Sequence, residues 1–142
     1  MLMLKKMFLV MLGGGIGAVV REALILVVPQ LPGGSEAPIF VANMTAALLI
    51  GLTAGLAVKG GIIGPAGKLF IATGIMGGLS TFSSFVWGAD KMLYDPSLRL
   101  RGLLFIGASM IFGFLLTQLG LWIGQRLISG HRLAENVNQS GR

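Results

Sequence analysis

Four apolar runs, each close to the length of a membrane-crossing helix, constrain this chain more than any other feature. They extend from about Met7 to Val28, Pro38 to Val58, Lys68 to Leu93 and Gly102 to Ile128. A spanning helix needs roughly 20 consecutive apolar residues, and in lipid only helices and closed barrels satisfy their own backbone groups. Composition agrees: 54% of the 142 residues are hydrophobic and 11% are charged. Soluble domains stay near 45–50% apolar, roughly, even with glycine counted in. The expectation is an all-α integral membrane protein of four transmembrane helices over residues 1–128, followed by a polar, frayed tail over 129–142.

Three short connections separate the runs: Pro29-Gln30-Leu31-Pro32-Gly33-Gly34, then Lys59-Gly60-Gly61 with Gly64-Pro65, then Tyr94-Asp95-Pro96-Ser97. Glycine and proline at these places are turn signals. Connections this short predict antiparallel neighbours in a small bundle. Lys5-Lys6 ahead of an apolar run has the look of a signal peptide. The run, however, continues past Arg21 and no Ala-x-Ala site follows, so a retained first helix is expected. With no cysteine the chain has no disulfide or thiolate chemistry, and its one histidine, His131, lies in the tail. The net charge of +6 sits at the ends of the runs, without a basic stripe interleaved with aromatics. That pattern suits membrane anchoring and argues against nucleic-acid binding. Gly13-Gly14-Gly15-Ile16-Gly17-Ala18 spells the dinucleotide fingerprint, but that motif needs a strand before it. Inside an apolar helix, Gly13 and Gly17 fit a small-xxx-small packing face instead.

The third run is interrupted. Gly74-Ile75-Met76-Gly77-Gly78-Leu79-Ser80-Thr81-Phe82-Ser83-Ser84-Phe85 puts two adjacent glycines and four hydroxyl side chains in the middle of a span. Gly77-Gly78 weakens a helix interior, because glycine has the most backbone freedom to lose. The third helix is therefore expected to break near Gly77–Ser80. A helix that breaks in lipid must have its freed N–H and C=O groups satisfied by protein, water or an ion. Two readings of the stretch stand side by side. Either the break is the functional centre, or the glycines serve close packing and the hydroxyls bond back to the preceding turn.

Polar residues inside the other runs carry the same double reading. Arg21 is the only basic residue within a span, late enough in it to snorkel. It is either an interfacial anchor paired with Glu22 or a positive charge that draws anions into a vestibule. Asn43, among Val41, Ala42, Met44 and Ala46, must hydrogen-bond something. Its partner is either a backbone carbonyl on another helix or a permeant anion. Phe82 and Phe85 share a helical face and alternate with Thr81, Ser83 and Ser84. A phenyl ring has a positive edge. Beside hydroxyl and amide donors, that edge can hold a small anion without a full countercharge, and conduction needs weak, multiple sites. The plain alternative is core packing. Ser109 and Thr117 either extend a polar track or make helix–helix bonds.

Gly13-Gly14-Gly15-Ile16-Gly17-Ala18-Val19-Val20-Arg21, Asn43 and Gly77-Gly78-Leu79-Ser80-Thr81-Phe82-Ser83-Ser84-Phe85 together resemble the fluoride channels of the Fluc (CrcB) family, over roughly residues 5 to 128. The resemblance implies an antiparallel, dual-topology dimer of four-helix subunits with two fluoride pores. It implies that Phe82 and Phe85 line the pores with rings from both subunits and that Asn43 is the pore asparagine. Thr81, Ser83 and Ser84 would belong to the polar track, Ser109 would be the fourth-helix serine, and Arg21 would stand in the vestibule. A structural sodium ion is implied at the dimer centre, on the backbone carbonyls of Gly77 and Ser80, with no organic cofactor. The chain departs from the family pattern at Ser80 and Ser84, where threonine is frequent. Ala46 replaces a common glycine, Phe105 a fourth-helix tyrosine and Gly113 a second serine, which alters one side of the pore.

The expected function is passive, fluoride-selective export across the inner (plasma) membrane, lowering fluoride toxicity, with the fluoride ion and the lipid bilayer as partners. The alternative is a small four-helix, dual-topology drug or cation transporter. Such a protein needs an acid inside the membrane, whereas Glu22, Glu36, Asp90, Asp95 and Glu135 lie at or beyond the ends of the spans. No metal-ligand cluster or nucleophile–base pair points to an enzyme. Four spans put Lys5, Lys6, Lys59, Lys68, Arg126 and Arg132 on one side, leaving out the remote Arg142. Lys91, Arg99 and Arg101, with Arg21, fall on the other. Six against four is the weak bias expected of a chain that inserts both ways. It favours a homodimer, with a heterodimer of two homologous chains as the rival.

Overall fold

The computed structural model describes residues 2–29, 36–58 and 61–140. Residues 30–35 and the Lys59-Gly60 part of the second connection lie outside them. Within the described residues the chain is helical: α1 (Leu2–Val27), α2 (Glu36–Leu56), α3 (Pro65–Lys68), a π-helical stretch (Leu69–Ile75), α4 (Met76–Leu79), α5 (Phe82–Tyr94) and α6 (Arg99–Ser140). Met3–Val27, Glu36–Leu56, Pro65–Tyr94 and Arg99–Gly130 are each long and apolar enough to cross a membrane. Their outward side chains fit lipid contact: Phe8, Met11 and Val19 on α1, and Leu104, Ile111 and Phe114 on α6, are all exposed. Two tryptophans carry cations over their rings. Lys91 Nζ lies 4.4 Å above the Trp87 ring and the Arg126 guanidinium 5.2 Å above Trp122. Each pair joins an aromatic ring to a cation one turn on.

Local sequence explains the element ends. Pro65 opens α3 at its first position, where its missing N–H costs nothing. The turn before α6 is tied by Asp95, whose Oδ1 accepts from Ser97 Oγ at 2.7 Å and Ser97 N at 2.9 Å. The two bonds hold the Asp95 carboxyl below its ordinary range. Helix α6 runs on through Ser140 rather than fraying at Ser129. Residues 129–140 hold no proline and one glycine, with Leu133, Ala134 and Glu135 all good helix formers.

Helix pairing follows the small residues instead of chain order. The extensive contacts join α1 to the π-helical stretch and α4, and α2 to α6, whereas the consecutive α1 and α2 touch little. A side chain at Gly17 would overlap the Ile75 carbonyl, and one at Gly78 the Gly14 carbonyl. Likewise Gly51 lies on the Thr117 carbonyl and Gly120 on that of Leu48. In both seams the residue numbers rise together, so the tight pairs join alternate spans running parallel, first with third and second with fourth, as a chain of antiparallel consecutive spans requires. Lipid supplies no hydrophobic force between spans. Close backbone approach at small residues supplies dispersion contact in its place. Gly13 and Gly17 thus serve packing, as do Gly120 and Gly124. Gly107 faces open space, and Gly113 meets only the tip of Met44. The buried core, Ala42, Ala46, Met76 and Leu79, sits between α2 and the third span, flanked by Leu24, Leu49, Ile71 and Ile75.

Candidate functional site

Helix α4 stops at Leu79. Ser80 (φ −75°, ψ 152°) and Thr81 (φ −144°, ψ 115°) are extended, and α5 begins at Phe82. Ser80 closes the helix by giving both its N–H and its hydroxyl proton to the Met76 carbonyl, each at 2.9 Å. In a continuous helix the Thr81 N–H would reach the Gly77 carbonyl. Here it donates to Asn43 Oδ1 at 2.8 Å, while Asn43 Nδ2 donates to the Thr81 carbonyl at 3.2 Å. One amide on α2 therefore satisfies both backbone groups of a residue that is 8% exposed. Thr81 in turn caps α5: its Oγ1 accepts from Ser84 N at 3.3 Å. The same hydroxyl donates to Ser84 Oγ at 2.9 Å and lies 3.4 Å from Ser83 Oγ.

Beside this joint is an open cleft of about 370 Å³. Asn43 and Met44 of α2 line it with Ser80, Thr81, Phe82 and Phe85 of the third span and Ser109 and Met110 of α6. Among the residues expected from sequence, Asn43, Thr81, Phe82, Phe85 and Ser109 meet there. Ser83 and Ser84 join through the Thr81 hydroxyl without lining the cleft. Arg21, half-buried on α1, is not part of it. Arg21 also makes no ion pair with Glu22, since consecutive residues on a helix point to different faces.

The polar atoms differ in what they can offer. Asn43 Nδ2 carries two N–H groups and Thr81 takes one. Ser109 donates to the Phe105 carbonyl at 2.6 Å and Thr117 to that of Gly113 at 2.8 Å, so neither makes a helix–helix bond. The Ser109 hydroxyl must rotate before it can donate into the cleft. The cleft's lining residues carry no formal charge.

Phenylalanines extend the site beyond the motif. Phe82 and Phe85 have ring centroids 6.2 Å apart, Phe85 and Phe105 5.2 Å, Phe105 and Phe40 6.4 Å. Phe40 and Phe112 meet edge-on at 6.3 Å. Sequence reading treated Phe105 only as a departure and overlooked Phe40. Phe105 is legible in hindsight, because it lies one turn before Ser109 on the same face. Glu36 stands at the first position of α2, the end of its span as expected. It is nonetheless buried, 7% exposed, and its Oε2 accepts from Arg101 Nη2 at 3.5 Å.

Among the described residues no three of histidine, cysteine, aspartate and glutamate converge to hold a metal. A cation at the joint would rely on backbone oxygens. The Gly77 carbonyl has lost the Thr81 N–H, and the space where a Gly77 side chain would lie is open. Carbonyl oxygens freed at a helix break suit a hard alkali cation such as sodium.

The CrcB-like protein family (Camphor Resistance, CrcB) matches residues 8–121. The chain is 48% identical over 118 residues to the fluoride-specific ion channel FluC 3 of Yersinia pseudotuberculosis, covering 83% of this chain and 87% of that protein. It is 37% identical over 123 residues to the fluoride-specific ion channel FluC of Hyphomonas neptunium, covering 85% and 96%. A third relative, the fluoride-specific ion channel FluC 1 of Brucella abortus, is 35% identical over 125 residues. The match covers 87% of this chain but 46% of that longer protein.

Proposed function

This chain belongs to the CrcB family, and on that premise we propose that it is a fluoride-selective ion channel. Its ion path runs through the cleft of Asn43, Thr81, Phe82, Phe85 and Ser109. The observation that carries the site assignment is the meeting of those residues, from three separate spans, on one cleft without a fixed charge. Fluoride is small and holds water tightly, so it sheds water only for close donors. The second N–H of Asn43, the reorienting hydroxyls and the positive edges of Phe82 and Phe85 are such donors. No charged side chain lines the cleft to trap the ion, which leaves binding weak enough for release. Transport is passive, and its direction is outward when fluoride has accumulated inside.

Fluoride efflux from liposomes holding the purified protein tests this reading. Fluoride should pass and chloride should be strongly rejected; equal fluxes of the two ions refute it.

The proposal extends to an antiparallel homodimer in the inner membrane. Phe82 is 78% exposed on the single subunit, which suits a ring completed by a second copy. A cysteine introduced into the tail should then be labelled from both sides of the membrane. Labelling from one side only, in a chain that conducts when expressed alone, overturns it. The carbonyls of Gly77 and Ser80 would hold a structural sodium ion at the dimer centre, supplying charge to fix the two broken helices. Anomalous scattering that shows only water there removes that part.

A further inference from the structure

A pocket of about 600 Å³ opens between α1 and the third span, at the end where both begin. Lys5 and Lys6 of α1 and Lys68 of α3 line it, together with Leu9 of α1 and Leu69 and Thr73 of the π-helical stretch. The three lysines are exposed, and among the described residues none of them makes an ion pair. The pocket shares no residue with the cleft of Asn43 and Thr81.

Charge is divided unevenly between the two ends of the spans. Glu22, Glu36, Asp90 and Asp95, the acids whose side chains the structure describes, all lie toward the opposite end. The pocket's end carries Lys5, Lys6, Lys68 and Arg126, and none of the described carboxylates lies there. Like charges gathered on one pocket repel each other, and an anion between them relieves the repulsion.

Thr73 is a second, independent observation. Thr53 and Thr117, also inside spans, each give the hydroxyl proton to the carbonyl four residues back, at 2.7 and 2.8 Å. Thr73 lies in the π-helical stretch, where backbone bonds reach over five residues instead of four. It is exposed, lines the pocket and makes no hydrogen bond among the described residues. A hydroxyl facing hydrocarbon without a partner is costly. It calls for an acceptor that the membrane itself brings.

We propose that this pocket binds an anionic glycerophospholipid. Lys5, Lys6 and Lys68 hold the headgroup phosphate, the Thr73 hydroxyl donates to a glycerol-ester carbonyl, and the apolar part of the lipid lies against Leu9 and Leu69. Thr73 lies five residues farther into the span than Lys68. That is the order in which a phospholipid carries its phosphate and then its esters, from the interface inward. Basic clusters at the end of a span attract anionic lipid, by about fivefold in affinity for each lysine. A soluble phosphate would use the lysines alone and leave Thr73 without a partner.

Titration of phosphatidylglycerol into the full-length protein in neutral detergent, with bound lipid counted by native mass spectrometry, tests the assignment. Phosphatidylcholine with the same chains is the reference. The wild-type protein should bind phosphatidylglycerol about tenfold more tightly than phosphatidylcholine. Lys6→Gln/Lys68→Gln should weaken phosphatidylglycerol about 25-fold, and added salt should shrink the loss. Lys91→Gln/Arg126→Gln removes the same charge elsewhere and should leave binding within about twofold. Thr73→Val should weaken phosphatidylglycerol about threefold at every salt concentration, and Thr73→Ser should bind as wild type. Circular dichroism checks the helix content of each variant. If the lysine pair fails to fold, Thr73→Val decides, and unchanged binding in it overturns the proposal. Equal affinity for the two lipids, or equal weakening by the two double variants, overturns it as well. Displacement of phosphatidylglycerol by glycerol phosphate at the same concentration also overturns it, by making the pocket a site for a soluble phosphate.

Discussion

Asn43→Ala strikes the joint on which the site is built. The substitution removes the acceptor of the Thr81 N–H, at 2.8 Å, and the donor to the Thr81 carbonyl, at 3.2 Å. Thr81 is 8% exposed, so its backbone cannot turn freely to bulk water. A buried polar group left without a partner costs about 1–3 kcal/mol, giving about 2–6 kcal/mol for the two. Interhelical hydrogen bonds within membranes average nearer to about 0.6 kcal/mol, because the opened state finds other partners. The adjoining cleft can also admit water. The expected destabilisation is therefore about 2–3 kcal/mol, toward the lower end. Denaturant unfolding in detergent reads this directly, and liposome efflux reads the accompanying fall in fluoride flux. Asn43→Asp separates the two effects. It keeps an acceptor for the Thr81 N–H and should hold more of the stability, yet its negative charge in the cleft should repel fluoride. The reasoning is refuted if Asn43→Ala unfolds within about 0.5 kcal/mol of wild type and conducts at the wild-type rate.

Phe82→Ile and Phe85→Ile keep apolar bulk but remove the ring edge. Each should cut fluoride flux about tenfold, equivalent to about 1.4 kcal/mol, with assembly intact by size-exclusion elution. Wild-type flux in both assigns the rings to packing alone. Gly17→Ala drives a methyl into the Ile75 carbonyl and Gly51→Ala into that of Thr117, at a cost of about 1–3 kcal/mol each. Gly107→Ala enters open space and should be no less stable than wild type. Equal unfolding midpoints for the three variants contradict the two glycine seams.

The span count and membrane class were legible in the sequence. Hydrocarbon thickness sets segment length and the backbone must satisfy itself within lipid, so apolar run length alone decides both. The polar constellation was also legible as residue types: an amide, hydroxyls and two phenylalanines out of place in apolar runs at Asn43 and Thr81–Phe85. What those groups bind was not legible, because a hydrogen-bond partner is a matter of distance in space. Asn43 spends its oxygen and one N–H on Thr81, 38 residues away. Ser109 spends its proton on its own helix, which no spacing rule would decide. Chain order did not show which spans pack tightly; the tertiary structure pairs alternate, parallel spans, since close approach needs glycines in register and those lie on α1 with the third span and on α2 with α6. The same pairing brought Phe40, Phe105, Glu36 and Arg101 into one groove. From sequence these were two apolar residues and two charges at span ends; proximity across helices gives them a shared cavity and an ion pair.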